Sequence, residues 1–140
     1  MWIIYACGSA IAASLVAIFG KIGLQGVDPT LATIVRGVIM AIILVLAGLV
    51  FKKFQGLDWS AIGGNAWMYI FLSALAGASS WVLYFLALRT GPASAVAVLD
   101  KFSVVLVIIL AAVFLGETLT VRSIFGILFT IAGSLLILFK

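Results

Sequence analysis

A chain of 140 residues that is 66% hydrophobic and only 9% charged, with a mean hydropathy of +1.44, is far from a soluble domain, which keeps about a quarter of its residues charged. The expectation is an all-α integral membrane protein with one membrane domain over residues 1–140 and no sizeable soluble one. Its net charge of +4 comes from eight Lys and Arg lying mostly at the ends of apolar runs, which marks headgroup anchoring and excludes a nucleic-acid surface; with no histidine, His-based metal binding, acid–base work and proton relay are excluded too.

A bilayer crossing takes about 20 apolar residues, and that length laid along the chain predicts five spans, at about 2–22, 29–51, 66–88, 93–116 and 121–139. The first lacks a basic leader and an A-x-A-like site before a soluble domain, so it is read as a retained helix rather than a signal peptide. Trp2 and Tyr5 mark one interface and Lys21 the other. Ala6, Ala10, Ala13, Ala17 and Gly20 recur at alternating four and three, a small-residue stripe along which helix backbones can approach closely. Cys7 lies inside this run as a small packing residue, with no second cysteine to pair with.

Asp28-Pro29 has the form of an N-cap followed by proline at the first helical position, and starts span two. Thr33, Arg36 and Met40 share one face by their three-and-four spacing. Either that face turns inward, or Arg36 snorkels to headgroups from near the helix start. Lys52-Lys53 end the span at a membrane surface. In the long connection that follows, Asp58 can cap a short interfacial turn, while Trp59 and Trp67 mark headgroup depth. In span three Gly77, Trp81 and Tyr84 lie along one face, with Trp81 about 10 Å from Leu88, deep for an interfacial aromatic. They form a cavity wall or plain packing.

Arg89-Thr90-Gly91-Pro92 is a tight connection into span four, which carries the adjacent pair Asp100-Lys101. Ionisable residues inside a bilayer are costly and face a bundle interior or a wet cavity, which makes this span a place to look for function. As helix neighbours the two point about 100° apart and are not assumed to pair with each other. Spans two and four start on the same side, so Arg36 and Asp100 lie at similar depth and are candidates to pair. With Lys21, Arg89 and Lys101 they make a cationic cluster suited to an anionic or zwitterionic ligand, or a buried ion pair that fixes register. Glu117 to Thr120 close span four, and Thr120 caps span five. There Ser123, Gly126, Thr130 and Gly133 form a second small-residue seam, expected to meet another helix within the chain or across a dimer.

Loop and end cations divide evenly, Lys52, Lys53 and Arg122 on the side of the N-terminus against Lys21, Arg89 and Lys140 on the other. The positive-inside rule then sets no orientation, as expected of a chain that inserts both ways; alternatively the intramembrane cations break the tie. Five spans are an odd number. Tandem duplication of such a unit inverts the second copy, so an antiparallel homodimer would reproduce the inverted repeats of secondary transporters.

Ala87-Leu88 with Gly91-Pro92-Ala93, then Asp100-Lys101-Phe102-Ser103, Leu115-Gly116-Glu117-Thr118-Leu119-Thr120, Gly126 and Ala132-Gly133 together resemble an EamA-type domain of the drug/metabolite transporter superfamily, over essentially the whole chain and including Arg36 early in span two. The resemblance implies one five-helix repeat of an inverted-repeat transporter, working as a carrier that exports or exchanges small metabolites across a cytoplasmic membrane. The last span also looks like the dimerising helix of the small multidrug resistance proteins. Those carry a glutamate in their first helix, whereas the first span here has no acidic residue, which argues against their proton-coupled drug antiport.

The expected function is therefore a secondary transporter acting as a dimer by alternating access. Trp81 and Tyr84 shape its cavity, Arg36 and Lys101 contact a small polar or anionic metabolite, and Asp100 holds those cations. Gly126, Thr130 and Gly133 form the dimer seam. The alternative is a non-transporting subunit assembled with a partner membrane protein. No metal or cofactor is expected, and an enzyme is not, since a Gly-rich phosphate loop, a metal-ligand cluster and a nucleophile–base constellation are all missing.

Overall fold

The computed structural model describes residues 1–56 and 62–139; the expected turn at Asp58, the interfacial Trp59 and the terminal cation Lys140 lie outside them. The described residues are helical without strands, and hold five segments long and apolar enough to cross a membrane. They are α1 (Trp2–Gly23), α2 (Pro29–Val50), α3 (Gly64–Thr90), the broken span α4 (Ala93–Asp100) with α5 (Phe102–Leu115), and α6 (Val121–Leu138). Among these, α3 has 27 residues, about 40 Å at 1.5 Å per residue, which exceeds a hydrocarbon core of about 30 Å. It spans with tilt or with its ends in the headgroups.

Local chemistry accounts for the ends. The Asp28 carboxylate accepts the Leu31 N–H at 2.9 Å, with Pro29 in the first turn of α2, and the Thr120 hydroxyl accepts the Ser123 N–H at 3.1 Å at the start of α6. Between them the chain stops at Gly116, which adopts the left-handed conformation (φ 68°, ψ 21°), and the Glu117 N–H reaches back to the Ala111 carbonyl at 3.3 Å. The Leu115–Thr120 segment is thus a helix stop, a turn and a helix start in six residues. Gly116→Ala should lower stability by about 1–2 kcal/mol, because a Cβ crowds the following carbonyl at this φ although the surrounding space is open. Denaturant unfolding of the purified protein would register the loss.

The chain divides into two compact units, one of Met1–Phe19 with Thr90–Lys140 and one of Gly20–Arg89. In the first unit α6 packs on α4 and α5, with Val96, Val105 and Ser134 buried. The face of α6 that carries Ser123, Ile127, Thr130, Ser134 and Leu138 is its covered side. Gly126 and Gly133 flank it, and a Cβ on either would meet nothing within 4 Å. In this chain the glycines of the seam are therefore not used for close approach.

In the second unit the core is Leu24, Pro29, Thr33, Phe85 and Leu88, the last without exposed surface. Gly20 makes room for it: a Cβ there would lie 3.3 Å from Phe85 Cζ and 3.4 Å from Leu88 Cδ1. At the far end of α2, Phe54 folds back over Gly48, where a Cβ would come within 2.6 Å of its ring. The turn that returns it carries Lys52 at a left-handed φ of 53°.

Candidate functional site

The Gly20–Arg89 unit brings together three of the expected site residues, Arg36, Trp81 and Tyr84. Arg36, about 10 Å along α2, places its guanidinium carbon 4.6 Å from the centre of the Trp81 ring and 5.1 Å from that of Phe85. Trp81 and Phe85 stand one turn apart on α3, so one cation covers two aromatic faces. Tyr84 adjoins this group, its ring centre 6.3 Å from that of Phe85. Arg36 is turned onto α3 rather than out to headgroups. Phe85 was not among the expected site residues; the available signal was its spacing of four from Trp81.

Arg36 lies over ring faces, and one of its donor nitrogens is left unsatisfied. Its Nη1 is buried and has no hydrogen-bond partner among the described residues. Leaving a buried donor unmade costs about 1–3 kcal/mol, more when it is charged. Ring contacts return about 0.5–2 kcal/mol of that, according to how dry the site is. Stacking on aromatics while keeping a planar fork of N–H groups for a carboxylate or phosphate is the property that separates arginine from lysine.

Arg36 also lines an open groove of about 380 Å³ along α2, whose walls include Val27, Leu31, Ala32, Val35, Ile39 and Met40. Arg36 is its one charged lining residue. Thr33, on the neighbouring turn, is buried and spends its hydroxyl on the Pro29 carbonyl at 2.7 Å. Met40 of the expected Thr33–Arg36–Met40 face reaches the groove, and Thr33 does not line it.

Lys21, expected in a cationic cluster, is engaged otherwise. Its ammonium donates to the Leu88 carbonyl at 2.5 Å and lies 3.4 Å from that of Arg89, the last carbonyls of α3. A cation there satisfies groups that have no partner inside the helix and opposes the negative end of its dipole. Lys21→Met should cost about 1–2 kcal/mol, discounted for its half-exposed position, and thermal unfolding of the variant beside Lys21→Arg checks it.

In the other unit, Asp100 and Lys101 sit where span four is interrupted. The Lys101 N–H bonds to the Val98 carbonyl at 3.1 Å and the Val104 N–H to the Lys101 carbonyl at 3.0 Å, each three residues back instead of four. The expected span over 93–116 is found as one stretch, Ala93–Leu115, within which α4 and α5 are joined by one tightened turn at the ionisable pair. The two residues were not assumed to pair; Lys101 Nζ lies 3.9 Å from Asp100 Oδ2, the long lysine stem reaching across the angle between them. Both heads are well exposed on this chain. Glu117 is exposed in the connecting turn, where its backbone rather than its carboxylate serves the fold.

Comparison with known proteins bears on the whole chain. A protein of Sinorhizobium sp. described as "Uncharacterized transporter in cobO 3'region" is 40% identical over 136 residues, covering 97% of this chain and 95% of its own length. No solved structure matches. The model of the EamA-like transporter family matches residues 1–139. With five apolar helices behind that match, the chain belongs to the EamA-like transporter family and is a multi-pass membrane transporter.

Proposed function

We propose that the protein is a secondary carrier of small metabolites, exporting or exchanging them across a cytoplasmic membrane by alternating access as a homodimer. The observation that carries this reading is Arg36: a guanidinium held by ring faces inside a membrane span, with a donor nitrogen left over, is built to meet an anionic group. Trp81 and Phe85 hold the guanidinium, with Tyr84 beside Phe85. In the other unit Lys101, paired with Asp100, is a further cation within a span that a polar substrate group can meet.

The dimer is supported by Asp100 and Lys101 themselves. An ion pair about 12 Å into a span and exposed on its own chain needs a wet cavity or another protein surface against it, since lipid tails solvate neither charge. Gly126 is exposed and Thr130 and Gly133 are half-buried, with open space over both glycines, which gives a second protomer a surface it can approach closely. Balanced flanking cations favour the antiparallel arrangement, with each protomer one repeat of an inverted pair.

Reconstitution tests the proposal. Purified protein in sealed vesicles is expected to exchange a labelled small anion against an internal pool, and Arg36→Gln to lose that exchange. Single cysteines near each end of the chain, in a Cys7→Ser background, are expected to label from both faces of the native membrane. Labelling from one face only would sink the antiparallel dimer, and exchange that ignores Arg36 would sink the site.

A further inference from the structure

We infer that the groove along α2 takes an organic monoanion with an apolar body, its carboxylate or phosphate head on Arg36 and its hydrocarbon part against Val35, Ile39 and Met40. This deepens the carrier reading above and rests on it for the direction in which the ligand moves.

The walls decide the class. Apart from Arg36 the groove is lined by glycine and apolar side chains, so a sugar or a compact polar solute would leave its own hydroxyls without partners there. A ligand cation would meet the charge of Arg36 instead of the free ring faces, because the guanidinium already lies over Trp81 and Phe85. A polyanion would need further cations, and the groove lining holds no charged residue besides Arg36. One cation beside an apolar trough matches one negative charge on an apolar chain. The volume, about 380 Å³, lies within the range of sites for small ligands.

The guanidinium is placed for this. The contacts with Trp81 and Phe85 engage its charge and not its donors, and Nη1 has no hydrogen-bond partner among the described residues. That nitrogen is shielded in this state. A cation–π contact fixes no donor–acceptor line, so the guanidinium can slide over the two rings to bring its edge to the groove.

The same chemistry could arrive as a free amphipathic acid or as the headgroup of an anionic lipid. The test uses the full chain in phosphatidylcholine nanodiscs, with 8-bromooctanoate as the probe and saturable quenching of tryptophan fluorescence as the readout. Its neutral and cationic counterparts, 8-bromooctanol and 8-bromooctyl-trimethylammonium, are run beside it. The carboxylate is expected to bind about tenfold or more tightly than either, and Arg36→Gln to remove that advantage, as one charge-assisted hydrogen bond accounts for about that factor. Ala32→Phe fills the groove and keeps the guanidinium; it is expected to leave the bromooctanoate no tighter than bromoacetate. Phosphatidylglycerol added to the disc assigns the source: loss of the saturable signal means a lipid headgroup, its persistence a free acid.

Equal binding of the alcohol or the ammonium, or unchanged binding in monodisperse Arg36→Gln and Ala32→Phe proteins, overturns the inference. The outcomes also separate it from the carrier reading. Arg36-dependent exchange of a compact polar anion with no bromooctanoate binding removes only the inference, whereas selective binding with no exchange of any solute removes only the carrier.

Discussion

Arg36→Leu is expected to abolish anion binding and exchange while leaving the folded protein as stable as the parent or slightly more so. Two effects oppose each other in the fold. The variant loses the contacts of the guanidinium with Trp81 and Phe85, about 0.5–2 kcal/mol together. It also removes a charge from a membrane span, where Arg at the helix centre costs about 2.5–3.5 kcal/mol, and with it the unmade bond of Nη1. The balance is near zero or favours leucine, which fits the general finding that apolar replacements of buried charges are tolerated. Function has no such compensation. Losing a charge-assisted hydrogen bond weakens binding about 10- to 100-fold, and the leucine stem offers nothing in exchange. Thermal unfolding and vesicle exchange on the same preparation decide it. A variant that melts several degrees lower but transports normally per folded molecule would make Arg36 a structural pin.

This opposition between stability and activity separates what could be read in the sequence from what could not. Helix ends are local chemistry, so the Asp28-Pro29 start and the Thr120 cap were legible from a few adjacent residues. So was the presence of five spans, which depends only on length and apolarity. The interruption at Lys101 was not, because no proline or glycine marks it and the flanking Val, Leu and Phe continue the helical pattern. Lys21 was read as a headgroup anchor, a sound inference for a lysine at a span end. Its partners are carbonyls 67 and 68 residues away, a pairing that no local pattern encodes.

At the site, Arg36 and Trp81 were conspicuous because a charge and an indole deep in a span are each rare. Phe85 was not, since one phenylalanine among ten carries no signal until the arginine is seen to rest on it. Gly20 was placed in a smooth stripe, and the structure gives that smoothness a specific use at its end, against Phe85 and Leu88. Gly48 shows the converse. It belonged to no stripe, yet a Cβ there would come within 2.6 Å of the Phe54 ring.

Neutralising Asp100 and Lys101 one at a time is expected to cost more than neutralising both. Asp100→Asn leaves the Lys101 ammonium in a membrane span without its counter-ion at 3.9 Å, and Lys101→Gln does the same to the carboxylate. An unpaired charge there costs about 1–3 kcal/mol, the lower end reflecting the freedom of a lysine stem to snorkel along the helix. In the double variant the two amides can bond to each other or to carbonyls of the tightened turn, so it should recover part of both losses, with a coupling of about 0.5–2 kcal/mol. Unfolding of all four proteins in a bilayer mimetic completes the cycle. Additive losses would mean that the 3.9 Å contact is incidental and that each charge answers to a different partner. Exchange then divides the remaining roles: a double variant that folds as the parent and no longer transports places the pair in the substrate pathway, whereas one that folds and transports reduces it to a device for holding α4 against α5.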